Sequence, residues 1–298
     1  MKSILVVDDE EVIRNMLLDH LEDLYKIYTA ESGESALSLL QKKPVDLVIT
    51  DINMPGIKGY ELINIIRTRY PQTINILITA YNVDDYIRMA KKHNITNILS
   101  KTTPFNFTEL KTLIQSLFDK KIFGIERHLS TGRNILKHYL VKKSSEAKLI
   151  REEIVKLFED RYGTVKDLKL VLDEIMTNAI YHGPQTKEGK EKYKEFANVN
   201  LQPNEYVEIT CASDEEKYGV SIIDNGGKLR KETILYKIDR HINAEGILDE
   251  SGRGIHMSRL FSDRLIINIQ KDQKTEIIVF NYIQDQYKGY KPLTINEI

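Results

Sequence analysis

The stretch LKLVLDEIMTNAIYHG, residues 168–183, decides which fold the second half of the chain can adopt. On a helix, Glu174, Asn178 and His182 are spaced four residues apart, so they project from one face. Apolar residues occupy another face, which we expect to pack onto a sheet. A carboxylate and an amide oxygen one turn apart suit a hard cation and a phosphoryl-transfer centre. Taken alone, the stretch is equally consistent with an ordinary amphipathic helix whose polar side faces water.

Two glycine-containing segments follow this helix. Asp224-Asn225-Gly226-Gly227 comes after an apolar run, and Gly252-Arg253-Gly254 precedes a predicted helix over 256–261. Asp224 can accept a hydrogen bond from an adenine amino group, and glycines let a base approach the backbone. The N–H groups at the start of the later helix can bind phosphates. A plain Asn-Gly turn is the alternative for the first segment.

The three segments, in this order and spacing, resemble the N, G1 and G2 boxes of the GHKL ATPase superfamily over about residues 145–282. They are closer to the anti-sigma-factor serine kinases than to the histidine kinases. The resemblance implies ATP and Mg²⁺ as cofactors, with Glu174 as the base and Asn178 as the Mg²⁺ ligand. Lys228 stands where the superfamily has a further glycine. The residues to which the resemblance assigns ATP binding are Asn178, Asp224, Gly226, Gly252 and Gly254.

Apolar runs alternate five times with amphipathic segments in the first 119 residues. Strands are predicted at 3–7, 25–30, 46–50, 74–79 and 96–99, and helices at about 11–22, 33–42, 58–69, 83–92 and 108–118. This order predicts a doubly wound, five-stranded parallel sheet with helices on both faces. The later chain instead predicts two hairpins, over 206–224 and 264–281. One long helix on such an antiparallel-rich sheet gives a two-layer α/β sandwich, which matches the Bergerat fold.

Polar residues follow the predicted parallel strands where each strand ends, namely Asp8, Asp9, Asp51, Thr79 and Lys101. In doubly wound folds, binding and catalytic residues lie at this edge of the sheet. Three converging carboxylates would repel one another, which implies a divalent cation. A lysine and a hydroxyl nearby can bind a phosphoryl oxygen, so that Asp51 would form an acyl phosphate. The alternative is that the acids are merely helix N-caps.

The segments VVDDE (6–10) and DINMPG (51–56), with Thr79-Ala80 and Lys101, resemble a response-regulator receiver domain over residues 1–119, a flavodoxin-like fold. The resemblance implies that Asp51 is the phosphoacceptor. Ile98 stands where the family has an aromatic switch residue. The implied Mg²⁺ ligands are Asp8, Asp9, Asp51 and the backbone carbonyl of Asn53. The residues implied to bind the phosphoryl group are Thr79 and Lys101.

Residues 120–144 are predicted to form a helical connector before a C-terminal domain over 145–298. Helices are expected near 130–142 and 145–161, with a packing role or a role in a homodimer. His128 is a poor candidate for a phosphoaccepting histidine because Leu129 and Ser130, rather than an acid, follow it. The polar segment 184–204 is an insertion, either a solvated loop, a source of lysines near nucleotide phosphates, or a docking loop.

The bulk composition excludes several classes of protein. The net charge of −1 gives no global attraction to nucleic acid or to anionic membranes. No apolar run is long enough to span a bilayer, and the first residues lack the layout of a signal peptide. The chain has one cysteine, so an intramolecular disulfide is impossible. A cytoplasmic protein of about two domains is expected, without direct contact to nucleic acid or membrane, since no helix-turn-helix pattern is present.

Together these patterns predict a two-component response regulator. Its phosphorylated aspartate would control an ATP-binding output domain similar to a serine/threonine kinase of the anti-sigma type. The expected partners are a sensor histidine kinase as phosphodonor, and an anti-anti-sigma-type protein or a sigma factor. The alternative is a phosphorylation-controlled binding module whose GHKL domain holds ATP, or is degenerate, without turnover.

Overall fold

The computed structural model describes residues 1–130, 132–186, 188–243, 245 and 253–298. The chain forms two compact units, Met1–Phe107 and Thr108–Ile298. Among the described residues, no helix is both long and apolar enough to cross a membrane.

The first unit is built on a parallel sheet in the order β2-β1-β3-β4-β5. Its strands are Ser3–Val7 (β1), Lys26–Ala30 (β2), Leu47–Asp51 (β3), Ile74–Thr79 (β4) and Asn97–Ser100 (β5). Its helices are Glu11–Leu21 (α1), Gly33–Lys42 (α2), Gly59–Arg69 (α3) and Ile87–His93 (α4). The predicted doubly wound fold is confirmed, because buried apolar runs such as that of β3 suit strands covered on both faces.

Helix boundaries in this unit follow local side-chain chemistry. Ser32 caps α2: its hydroxyl accepts a hydrogen bond from Ser35 N at 3.2 Å, and Ser35 Oγ accepts one from Ser32 N at 3.1 Å. This reciprocal capping box satisfies backbone donors that the first turn leaves open. Gly59 begins α3 against the carbonyl of Asp51, since a methyl group there would lie 1.9 Å from that oxygen. The end of β3 and the start of α3 are thus locked together.

The second unit contains a six-stranded sheet in the order β11-β9-β10-β8-β7-β6. Its strands are Asn134–Val141 (β6), Val207–Ser213 (β7), Lys217–Asp224 (β8), Arg264–Gln270 (β9), Lys274–Tyr282 (β10) and Leu293–Glu297 (β11). Its helices are α5, which spans Phe107–Asp119 and so begins at the boundary of the units, Ala147–Tyr162 (α6), Leu168–Thr177 (α7), Lys231–Ile242 (α8) and Arg253–Phe261 (α9). Both predicted hairpins are present, and the two-layer α/β sandwich is confirmed.

The helix predicted near 130–142 is wrong, because this segment forms the edge strand β6, paired antiparallel with β7. Leu136 and Leu140 suggested a helix through their four-residue spacing. That spacing is even, so it equally fits one face of a strand. The helix expected near 145–161 is confirmed as α6.

The segment Lys120–Ser130 is anchored by buried polar side chains of the second unit's sheet. Asn268 Nδ2 donates to the carbonyl of Ile122 at 2.7 Å, and Gly124 N donates to Glu276 Oε2 at 3.0 Å. The Ser221 hydroxyl also donates to Glu276 at 2.6 Å. Burial raises the pKa of Glu276. These bonds satisfy a carboxyl group that would otherwise be costly to bury.

A second group of charges lies nearby in the same unit. Arg264 is 2.6 Å from Glu109 of α5, and both side chains are largely buried. Lys217 pairs with Asp214 at 2.8 Å, while Asp214 Oδ2 accepts a hydrogen bond from Ser130 N at 2.7 Å. Arg264 of β9 therefore holds α5, and Asp214, in the turn before β8, holds the segment after α5.

Candidate functional sites

The first candidate site gathers polar side chains at the carboxyl edge of the first unit's parallel sheet. Lys101 Nζ, after β5, lies 2.8 Å from Asp8 Oδ2 and 2.8 Å from Asp51 Oδ1. Glu10 lies farther out, at 3.4 Å from the same amine. Thr79 is buried at the end of β4, where its Oγ1 accepts a hydrogen bond from the backbone of the residue two positions later. The structure thus brings together most of the residues expected at this edge.

Asp51 is held by its neighbours in one orientation. Its Oδ2 accepts a hydrogen bond from Asn53 N at 2.5 Å, while Lys101 holds its Oδ1. Burial alone would lower the pKa of Lys101, but the hydrogen bonds and charges of Asp51 and Asp8 outweigh it and raise that pKa. Burial raises the pKa of Asp8 despite this lysine. Lys101 therefore stays cationic beside the Asp51 carboxylate, at the carboxyl edge of the parallel sheet.

The oxygen atoms at this edge fit a magnesium ion. Asp8 Oδ2 is buried and lies 2.8 Å from Lys101 Nζ, while Asp8 Oδ1 accepts a hydrogen bond from Glu10 N at 3.0 Å. Asp9 is exposed at the same edge. Within the described part of the chain, no three Asp, Glu, His or Cys side chains are gathered closely enough to form a metal cage. The carboxylates of Asp8 and Asp51 at this edge suit Mg²⁺, which usually keeps several waters and binds one or two protein carboxylates.

The second candidate site is a cavity of about 230 Å³ between α7 and the sheet of the second unit. Its apolar wall includes Ile175, Ile222 and Ile277, of which the last two are paired in register on β8 and β10. The polar or charged side chains that line it are Asn178, His182, Gln185, Glu191, Asp224, Lys228, Lys237 and Thr275. An apolar wall with a few converging polar groups is typical of a small-molecule site.

Asp224 lies at one end of this cavity. Its Oδ1 accepts hydrogen bonds from Gly226 N at 2.8 Å and Gly227 N at 3.3 Å. Burial raises the pKa of Asp224 to about 6, even though these backbone donors favour its ionised form. Thr275 faces it in register on β10, and a hydrogen bond from the buried Thr275 hydroxyl also favours the ionised form of Asp224. A ligand amine can therefore find an acceptor and a hydroxyl together here.

Gly226 and Gly227 are required by the packing of the protein itself. A methyl group on Gly226 would lie 2.2 Å from the carbonyl oxygen of Gly183, and one on Gly227 would lie 2.4 Å from Gln273 N. Gly227 also has a φ of +57°, which favours glycine. The two glycines let the loop after β8 pack against Gly183, which follows α7 in the chain. Asp224 lies at the start of this loop.

We therefore expect Gly226→Ala to destabilise the protein. Overpacking of this kind typically costs about 1–3 kcal/mol, because the backbone of Gly183 cannot move away easily. The midpoint of thermal unfolding should fall, and Asn225→Ala, which removes only an exposed hydrogen bond to the carbonyl of Tyr206, should lower it far less. Equal midpoints for the two variants would contradict the close packing of Gly226 on Gly183.

Glu174 and Asn178 lie beside the start of α9, where Asn178 and Gly254 line the same cavity as Asp224. α7 ends at Thr177, and Asn178–His182 continue it as a π-helical turn. A methyl group on Gly254 would lie 2.8 Å from both Glu174 Oε2 and Asn178 Nδ2. Burial, followed by the charges of Glu195 and Asp173, raises the pKa of Glu174. The structure thus places a carboxyl and an amide side by side against a helix N-terminus.

Other expected residues have mixed outcomes. Gly252 lies outside the residues that the structure describes. The lysines that line the cavity are Lys228 and Lys237. The insertion 184–204 instead supplies Gln185 and Glu191, whose position nothing in the sequence pattern indicated. Thr275 was also missed, although its place at the start of a strand opposite Asp224 was a usable signal.

Family models match both halves of the chain. Residues 4–115 match the response regulator receiver domain, and residues 136–280 match the histidine kinase-like ATPase domain. The first match contains the acidic edge around Asp51. The second contains the cavity lined by Asp224 and Asn178.

Individual proteins resemble parts of the chain. The response regulator protein FleR of Pseudomonas aeruginosa is 29% identical over 217 residues, which are 72% of this chain and 42% of FleR. An uncharacterized response regulatory protein of Staphylococcus epidermidis is 31% identical over 142 residues, 46% of this chain and 54% of its own length. A crystal structure of the response regulator protein TrrA of Thermotoga maritima, in complex with Mg²⁺ and BeF, is 43% identical and covers 39% of this chain and 99% of that one, with a TM-score of 0.36. This chain spans less than half the length of FleR.

Proposed function

Because the chain joins a response regulator receiver domain to a histidine kinase-like ATPase domain, we propose that phosphorylation of Asp51 controls an ATP-dependent serine/threonine kinase. The observation that carries the kinase assignment is the position of Glu174, a carboxyl of raised pKa beside Asn178 and Gly254. A base at this place suits a hydroxyl substrate, whose proton must be accepted as the new bond forms.

Asp51 would act as the nucleophile of the receiver domain. One of its carboxylate oxygens attacks phosphorus, while the bond from phosphorus to the donor histidine breaks, so that an acyl phosphate forms. Mg²⁺ held by Asp8, Asp9, Asp51 and the carbonyl of Asn53 would neutralise charge on the phosphoryl oxygens. Lys101, already within 2.8 Å of Asp51, would bind one of those oxygens.

In the ATPase domain, Asp224 and Thr275 would bind the adenine, and Asn178 would hold Mg²⁺ near the phosphates. Lys237 lines the same cavity and can offset phosphate charge. The start of α9 at Gly254 adds backbone donors. The phosphates would therefore lie beside Glu174, which can accept the proton of a substrate hydroxyl.

Asp224→Asn is expected to weaken ATP binding. Loss of a hydrogen bond to a charged group costs about 1.5–3 kcal/mol. The affinity of the unchanged protein should also fall as the pH drops through about 6, where Asp224 loses its charge. Calorimetry with ATP and Mg²⁺ measures both effects. If neither the substitution nor the pH changes the affinity, Asp224 does not bind ATP.

The substrate we propose is a serine on an anti-anti-sigma-type protein, with a sigma factor as a further partner and a sensor histidine kinase as phosphodonor. Incubation with γ-labelled ATP and candidate partners tests this directly. Label on a partner serine supports the kinase. Label that appears only as free phosphate indicates an ATPase without a protein substrate.

A second candidate function is a binding module that holds ATP without turnover. Lys228 favours it, since this side chain lines the cavity where the superfamily pattern has a glycine. Tight ATP binding, with no phosphate released or transferred before or after Asp51 is phosphorylated, would support this function over the kinase.

A further inference from the structure

The insertion 184–204 places a carboxylate in the wall of the ATPase-domain cavity. Gln185 and Glu191 form a backbone bridge, and Thr186 N donates to the carbonyl of Lys190 at 2.8 Å. This pairing turns the segment back on itself. Glu191 is consequently held at the cavity by backbone structure rather than by a freely moving loop.

His182, the last residue of the π-helical turn that follows α7, fixes the orientation of the Glu191 carboxylate. His182 Nδ1 lies 2.7 Å from Glu191 Oε1, and both residues line the cavity. The side chain of Glu191 is still 62% exposed, so the other oxygen remains accessible. The pair therefore presents a fixed acceptor to a molecule in the cavity.

The position of the pair along the cavity suggests what it binds. Gly183, the residue after His182, packs beside Asp224, since a methyl group there would lie 3.1 Å from Asp224 Oδ1. Asn178, four residues before His182, lies next to Gly254, where the phosphates are proposed to bind. The pair thus lies between the proposed adenine and phosphate positions. The part of ATP between those two is the ribose.

We propose that Glu191, positioned by His182, binds the ribose hydroxyls of the nucleotide and makes the site selective for ribonucleotides. A carboxylate accepts hydrogen bonds from the two neighbouring hydroxyls of a ribose, and acidic residues have this role in dinucleotide-binding folds. This inference rests on the proposed ATP site. It adds a specificity residue from a segment outside the three glycine- and asparagine-containing boxes.

The test compares the binding of ATP and 2′-deoxy-ATP to the full chain by calorimetry. The unchanged protein should bind ATP on the order of tenfold more tightly, the effect of one hydrogen bond to a charged group. Glu191→Ala should weaken ATP binding more than 2′-deoxy-ATP binding, because only the 3′-hydroxyl contact is lost with 2′-deoxy-ATP, and the preference for ATP should disappear. Glu188→Gln, an exposed change in the same turn, is the matched control and should preserve the tenfold preference.

Other outcomes separate this inference from the function on which it rests. Equal binding of ATP and 2′-deoxy-ATP by the unchanged protein overturns the ribose contact and leaves the ATP site intact. A Glu191→Ala protein that binds both nucleotides more tightly shows that Glu191 only repels phosphate, which also overturns the contact. Absence of any nucleotide binding to the unchanged protein overturns the ATP site itself, and the ribose contact with it.

Discussion

The Glu174→Ala protein is expected to bind ATP with unchanged affinity and to transfer its γ-phosphate roughly 100- to 10,000-fold more slowly, the usual contribution of a general base. The carboxyl lies beside Asn178 and the start of α9, away from Asp224 at the adenine end. Its removal should therefore spare binding and affect only the acceptance of the substrate proton. Binding and transfer are to be measured on the same samples.

Asp173→Ala supplies the matched control for this experiment. Asp173 is the adjacent acid, but it pairs with Arg151 of α6. Its loss should change transfer only slightly. Because burial raises the pKa of Glu174, the activity of the unchanged protein should fall, as the medium is acidified, at a pH above the ordinary range of a glutamate. Equal transfer by the Glu174→Ala protein and the unchanged protein would show that another group is the base.

The Asp51→Asn protein is expected to lose phosphorylation completely when treated with Mg²⁺ and a small phosphodonor such as acetyl phosphate. The asparagine amide keeps the shape of the side chain but is not a nucleophile. Intact-mass measurement should detect one acid-labile phosphoryl group on the unchanged protein and none on the variant.

Asp46→Asn is a suitable comparison for the same assay. Asp46 lies just before the opposite end of β3, where it pairs with Lys2 at 2.7 Å. The variant should be phosphorylated like the unchanged protein. A phosphoryl group that persists in the Asp51→Asn protein would place the acceptor elsewhere, and labelling of neither the unchanged protein nor Asp46→Asn would remove the acceptor role from this edge.

The sequence was most informative where burial is complete. The strands of the first unit are runs of apolar residues, and a polar residue that ends such a run has to face the edge of the sheet. Asp51 and Lys101 could therefore be placed together from the pattern alone, although their 2.8 Å separation could not. The spacing of Glu174 and Asn178 likewise placed them on one face of a helix, whereas their contact with Gly254 is seen only in the structure.

Prediction failed where half-exposed residues or distant partners decide the structure. β6 is an edge strand with several exposed residues, so its alternation is weak and its even spacing of leucines imitates a helix. The place of Glu191 depends on backbone pairing within an insertion, which leaves no periodic signal. The buried hydrogen bonds of Glu276 could have been anticipated from the sequence, because a single acid inside the apolar strand β10 is buried only when it is paired.

The buried partners of the segment after α5 limit how freely this protein can be rebuilt by recombination. Exchange of Ile122 to Ser130 for an unrelated linker would leave Asn268, Glu276 and Asp214 without the backbone groups they now bind. Each lost hydrogen bond costs about 0.5–1.5 kcal/mol, or about 1.5–3 kcal/mol for a bond to a charged group, and three such losses are a large fraction of the stability of a typical domain. We therefore expect residues 122–130 to belong structurally to the sheet of the second unit and not to act as an interchangeable spacer. Gene fusions that keep the second unit functional should carry this segment along with it.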